Sequence, residues 1–183
     1  GVHATDWSWG AIINDFDNDG WKDLFVSNGI YQDLTDQDFL NFIGSEEAMK
    51  SIIQGNKVDY KKLIDAIPSE PISNYFFKNT DGISFENKAN EFGLGKLSHS
   101  NGASYGDLDN DGDLDLVVNN VNMPASIYKN NLNSALKKDS TNYIQLKLKG
   151  NKKNTFALGS KVIAYAKNKT FYSEYIPTKG FQS

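Results

Sequence analysis

The chain has 183 residues, 39% hydrophobic and 13% aromatic, enough to bury a core, and its composition is not that of a disordered segment. It has no cysteine, which excludes disulfides and thiolate chemistry, and no apolar run near the roughly 18 residues of a membrane span. The net charge of −4 hides an asymmetry: residues 1–128 carry 21 acidic side chains and 8 lysines, residues 129–183 carry 2 and 11, so a domain boundary is expected near 130–141.

From the N-terminus, Gly10-Ala11-Ile12-Ile13 and Leu24-Phe25-Val26 read as strands flanking an acidic loop, Asp15-Phe16-Asp17-Asn18-Asp19-Gly20-Trp21-Lys22-Asp23. A second loop, Asp107-Leu108-Asp109-Asn110-Asp111-Gly112-Asp113-Leu114-Asp115, crowds five carboxylates into nine residues ahead of the strand Leu116-Val117-Val118. Such crowding needs a counter-cation. Calcium takes roughly 6 to 8 oxygen ligands in irregular geometry, and short Asp side chains at alternate positions converge on one point when a glycine lets the backbone coil. Asp15, Asp17, Asp19 and Asp23 are therefore expected to hold one ion, and Asp107, Asp109, Asp111 and Asp115 a second. The carbonyl oxygens of Trp21 and Asp113 would join them, leaving the Asp113 side chain free.

An EF-hand is rejected, because Val26 and Val118 stand where its closing glutamate would be and the flanks are strands rather than helices. Magnesium fits less well, since it demands a rigid octahedron. The plain alternative is a solvated Asx-rich turn without metal. Because calcium is millimolar outside cells, the metal points to an exported protein.

The loops belong to a longer repeat. Ser8, Gly10, Ala11, Asp15, Asp17, Asn18, Asp19, Gly20, Asp23, Leu24, Val26 and Asn28 recur 92 residues later, from Ser100 to Asn120. Tyr75-Phe76-Phe77-Lys78-Asn79 matches Ser126-Ile127-Tyr128-Lys129-Asn130, so about 41 extra residues lie within the first copy. Without them the repeat is about 51 residues, near the size of a four-stranded propeller blade. The inserted segment, 31–72, reads as helices: a capping box at Thr35-Asp36-Gln37-Asp38, a cap at Ser45, and a stripe of Tyr60, Leu63, Ile64 and Ile67 before Pro68. That stripe is expected to pack inward. Tyr75-Phe76-Phe77 and Ile83-Ser84-Phe85 then form a hairpin around Asn79-Thr80-Asp81-Gly82, and Asn87 to Phe92 a short helix or turn. In the tail, alternation marks strands at 143–149 and 161–166.

The pattern Asp-x-Asp-Asn-Asp-Gly-x-x-Asp-Leu between strands resembles the FG-GAP or VCBS repeats of calcium-binding β-propellers, such as integrin α-chains. The words Asp-Trp-Ser-Trp-Gly-Ala at 6–11, Leu-Phe-Val-Ser-Asn-Gly at 24–29 and the run 101–120 are similar to bacterial VCBS-repeat proteins with an ASPIC/UnbV domain, relatives of cartilage acidic protein of the Bacteroidetes type. Tyr143 to Gly150, Leu158 to Val162 and Gly180-Phe181-Gln182-Ser183 look like the opening strands of that domain. The resemblance implies a mainly β fold: a partial propeller of about two blades (1–30 and 73–132), a helical insertion, and the start of a β domain at 140–183. It implies a fragment of a longer, exported or outer-membrane protein. It also implies a protein partner, an outer-membrane complex of SusC/SusD type.

Chemistry of other kinds finds little footing. His3 and His99 are expected as ordinary surface or loop residues, and no Gly-x-Ser-x-Gly, His-Glu-x-x-His or phosphate loop occurs, so no enzyme is expected; the aspartates alone would leave a metal-assisted hydrolase without a positioned base. The lysine-rich tail with Tyr165, Phe171, Tyr172 and Tyr175 has no arginine, which argues against nucleic acid. The rival to a scaffold is a glycan-binding or adhesion module in which Trp7, Trp9 and Trp21 stack on sugar rings, though their place beside strands favours burial.

Overall fold

Two antiparallel hairpins, each bent around one acidic loop, set the frame. In the computed structural model, residues 2, 4–54, 57–132, 143–167, 169–178 and 180 are described. Strand accounts for 34% and helix for 12%, so the fold is mainly β.

The first hairpin pairs β1 (Ser8–Asn14) with β2 (Asp23–Asn28), in a register running from Asn14 opposite Asp23 to Ala11 opposite Val26. Both faces of β2 are covered, since all its residues but Leu24 are buried. The inserted segment follows. It holds α1 (Gln37–Ile43), α2 (Glu46–Ile52), a short ladder of β3 (Ile53–Gln54) with β4 (Lys57–Val58), and α3 (Tyr60–Asp65). Ser45 caps α2 as expected, its Oγ accepting from the Ala48 N–H at 3.2 Å. The cap of α1 is Asp36 rather than Thr35: Asp36 accepts from the Phe39 N–H at 2.8 Å, while the Thr35 hydroxyl donates to Asp33. The expected inward stripe on α3 is corrected, since none of its residues is buried and Tyr60 and Ile64 are exposed. A helix this short covers too little area to close its own apolar face.

Past the insertion, β5 (Ile72–Ser73) leads into β6 (Tyr75–Asn79), which returns to β2, and β7 (Phe85–Asn87) pairs with β6. The result is a four-stranded antiparallel sheet in the order β1-β2-β6-β7, with the insertion looped out between its second and third strands. Ile83 lies in the turn rather than in a strand and is exposed. Residues 89–93 form turns and no helix. Next, β8 (Leu97–Ser98) pairs with β5, and a second meander follows in the order β9 (Ser100–Gly106), β10 (Asp115–Asn120) and β11 (Ser126–Tyr128). Among its described residues the tail contributes one hairpin, β12 (Lys161–Ala166) with β13 (Lys169–Glu174).

The strand expected at 143–149 is not formed. These residues are mostly exposed and have no strand beside them among the described residues, and alternation alone supplies no ladder hydrogen bonds. The expected boundary near 130–141 lies mostly outside the described residues, as do 181–183.

One core joins both meanders: Ile12, Phe16, Phe25, Phe76, Ala89, Leu94, Ala103, Leu116 and Val118. Phe16 comes from the first acidic loop and meets Phe76 and Tyr105 edge to face, with ring centroids 5.8 and 6.0 Å away. At the strand ends remote from the loops, the seam between the sheets is polar. Asn74 accepts from the Asn28 N–H at 2.9 Å and donates to Ser100 Oγ at 3.0 Å, and Ser100 donates to Asn120 at 2.8 Å. All four are buried, so each hydrogen bond spares a group from dehydration without a partner.

Candidate metal sites in two acidic loops

Each loop is the eight-residue connection closed by the last pair of its hairpin ladder, Asn14 with Asp23 and Gly106 with Asp115. The coil inside is tight. Asn18 and Asn110 have φ of 54° and 60°, and Gly20 and Gly112 have φ of 96° and 90°, left-handed conformations that Asn tolerates and Gly adopts freely.

The first aspartate of each loop holds that coil together. Asp15 accepts from the Asp19 and Gly20 N–H groups at 3.1 and 2.9 Å, and Asp107 accepts from those of Asp111 and Gly112 at 3.1 and 3.2 Å. Asp19 takes the Trp21 N–H at 2.8 Å, and Asp111 the Asp113 N–H at 3.2 Å. Three carboxylates thereby converge in each loop. Asp15, Asp17 and Asp19 form one trio and Asp107, Asp109 and Asp111 the other, each offering oxygens within 4.8 Å of one another, so each could hold a metal ion.

Asp23 and Asp115, expected as further ligands, lie outside these trios. Both are buried and turned to the backbone. Asp23 accepts from the Phe16 N–H at 3.2 Å and the Asn79 N–H at 2.9 Å; Asp115 accepts from the Leu108 N–H at 2.9 Å and the Asn130 N–H at 2.8 Å. Burial pushes the Asp23 carboxyl up to about 6, against the two N–H bonds that lower it, with the Asp15 and Asp19 charges adding to the rise. Burial likewise raises Asp15, more than its hydrogen bonds from Gly20 and Asp19 lower it. A cation at the trio would relieve both.

Asp113, expected with a free side chain, is fully buried, and Trp21 rests over the β6–β7 turn, where a Cβ on Gly82 would fall 2.7 Å from its ring. Burial expected for the tryptophans is not found at Trp9 and Trp21, each 43% exposed. His99 differs in the opposite sense. It is 6% exposed, edge-on to Tyr31 with ring centroids 5.4 Å apart, and not a surface residue. His3 lies outside the described residues.

Two residue pairs escape a reading of the loops alone. Lys78 pairs with Asp17 and, at 3.4 Å, with Asp19; Lys129 pairs with Asp109 and, at 4.0 Å, with Asp111. The next residue, Asn79 or Asn130, gives its N–H to the buried aspartate and its side-chain amide to a loop carbonyl, that of Lys22 at 3.1 Å or Leu114 at 3.4 Å. The signal was the Lys-Asn pair shared by both copies, which marks the strand that returns beside each loop. The Lys129 hydrogen bond holds the Asp109 carboxyl below the usual range.

Comparison with family models, curated proteins and solved structures finds no match.

Proposed function

We propose that the chain is a non-enzymatic calcium-binding β-propeller module, two FG-GAP or VCBS-type blades with a helical insertion, that serves an exported protein as a scaffold or protein-interaction part. The observation that carries the reading is the repetition of one loop in two sheets: the same trio, the same left-handed Asn and Gly, and the same buried aspartate beneath. Asp15, Asp17 and Asp19, and Asp107, Asp109 and Asp111, would hold the ions, with the carbonyl oxygens of Trp21 and Asp113 near enough in sequence to join each set, while Asp23 and Asp115 brace the loops from beneath. Bound calcium supplies charge neutralisation, which lets three carboxylates share one turn and pins the two strands on either side. From the resemblance, the module acts at a cell surface beside an outer-membrane complex of SusC/SusD type.

Thermal unfolding tests it. Calcium should raise the melting temperature by several degrees over that in chelator, and Asp17→Asn or Asp109→Asn should each remove part of the rise and one of two equivalents in a calorimetric titration. Identical melting with and without calcium sinks the reading.

A second reading, a glycan-binding face, is favoured by the surroundings of Trp9. Its indole N–H donates to the Gly29 carbonyl at 2.5 Å, which sets the ring at the rim of a cavity of about 350 Å³ lined also by Tyr31, Gln32 and Asn101. A glycan array on the chain separates this reading from a scaffold alone.

A further inference from the structure

The two loops do not face solvent with bare carboxylates, because each receives an ammonium from the strand that returns beside it. Lys78 stands on β6 and Lys129 directly after β11, at the same place in the two repeats. The oxygens they meet are particular ones. Asp17 and Asp19 each give Oδ1 to a loop N–H, at 3.3 and 2.8 Å, and turn Oδ2 to Lys78. Asp111 gives Oδ1 to the Asp113 N–H and turns Oδ2 toward Lys129, which also binds Oδ2 of Asp109. The lysines therefore sit on the oxygens that the backbone leaves for a cation.

We propose that Lys78 and Lys129 are tethered counter-cations, which hold the loops in shape without metal and give way to calcium, and which thereby set the affinity of each site and the order in which they fill. The inference rests on the calcium reading of the loops. A divalent ion drawn to these same oxygens would lie a few ångströms from the ammonium and repel it, so binding pushes the lysine away and costs it its ion pairs. That loss is unequal. The Lys78 side chain is 28% exposed and reaches its second carboxylate at 3.4 Å; that of Lys129 is 53% exposed and reaches its second at only 4.0 Å. Water screens the second pair more, so it resists less. The Asp107 loop fills first.

Calorimetric titration of the chain with calcium chloride, and melting in chelator, test the two halves of the inference. Wild-type protein should bind in two steps; Asp109→Asn should remove the tighter and Asp17→Asn the weaker. Lys78→Met keeps the aliphatic stem but not the charge. It should tighten the weaker step roughly two- to fivefold, and Lys129→Met should tighten the other by less. In chelator Lys78→Met should melt below wild type, with Lys78→Arg restoring the loss, and calcium should erase the difference. If wild-type protein binds calcium while Lys78→Met leaves the affinity unchanged or weakens it, the exchange is overturned and the calcium reading stands. Should wild-type protein take up no calcium, that reading falls and the exchange with it; equal melting of Lys78→Met and wild type in chelator overturns the tether separately.

Discussion

Asp115 and Asp23 do a different job from the aspartates before them. Each is a buried acceptor for two backbone N–H groups, one in its own loop and one at the end of the strand returning beside it, so each staples three segments. Taking away such an acceptor leaves buried donors unsatisfied, at about 1–3 kcal/mol for each group. Asp115→Ala should therefore lower stability in chelator as much as in calcium, whereas Asp109→Asn should cost more in calcium than in chelator. Urea unfolding of both variants under both conditions checks this, and an Asp115→Ala effect confined to calcium would show that the carboxylate works only through the metal.

In the β6–β7 turn one side chain closes three hydrogen bonds. Asp81 accepts from the N–H groups of Ile83 and Ser84 at 2.9 and 2.6 Å and from the Ser84 hydroxyl at 2.9 Å, and these bonds, that of the Ser84 N–H foremost, hold its carboxyl below the ordinary value. A carboxyl lowered on folding stabilises the turn above the ordinary value of about 4, and that contribution is lost as pH falls through the lower, folded value. Amide protection at Ile83 and Ser84 should thus fall on acidification below about pH 4. Asp81→Asn should remove the dependence, and protection flat with pH in wild type would refute the assignment. At the same scale, the α1 cap and the missing strand at 143–149 teach one lesson. Local pattern proposes an element, but which neighbour supplies its hydrogen bonds decides whether and where it forms.

Across the whole molecule, the acidic loops are also contact surfaces for the lysine-rich tail. Lys169 donates to the Asp19 carbonyl at 3.3 Å, and Tyr143 lies so close to Gly112 that a Cβ there would stand 2.0 Å from its ring. Gly112 is thus needed twice, for its left-handed backbone and for that approach. Gly93 also has positive φ, 74°, but open space around it. Gly112→Ala should cost roughly 2 kcal/mol or more and Gly93→Ala about 1 kcal/mol, backbone strain alone. Urea unfolding of the pair measures the difference, and equal costs would mean that Tyr143 moves aside freely. The charge asymmetry along the chain has counterparts here, in Lys169 against the first acidic loop and Lys129 against the second.

Both loops, their flanking strands, the 92-residue repeat and the helical nature of the insertion were legible in the residues themselves, because Asp-x-Asp spacing, a turn glycine and alternating side chains are local demands on a short piece of backbone. The helix cap one residue along, the exposed face of α3 and the open tryptophans were not, since each depends on what lies opposite in space. Nor could spacing reveal that Asp23 and Asp115 turn to backbone N–H groups while Lys78 and Lys129 meet the trios. Lys78 lies 61 residues from Asp17 and Lys129 20 from Asp109, and only the return of β6 and β11 beside the two hairpins brings those charges together.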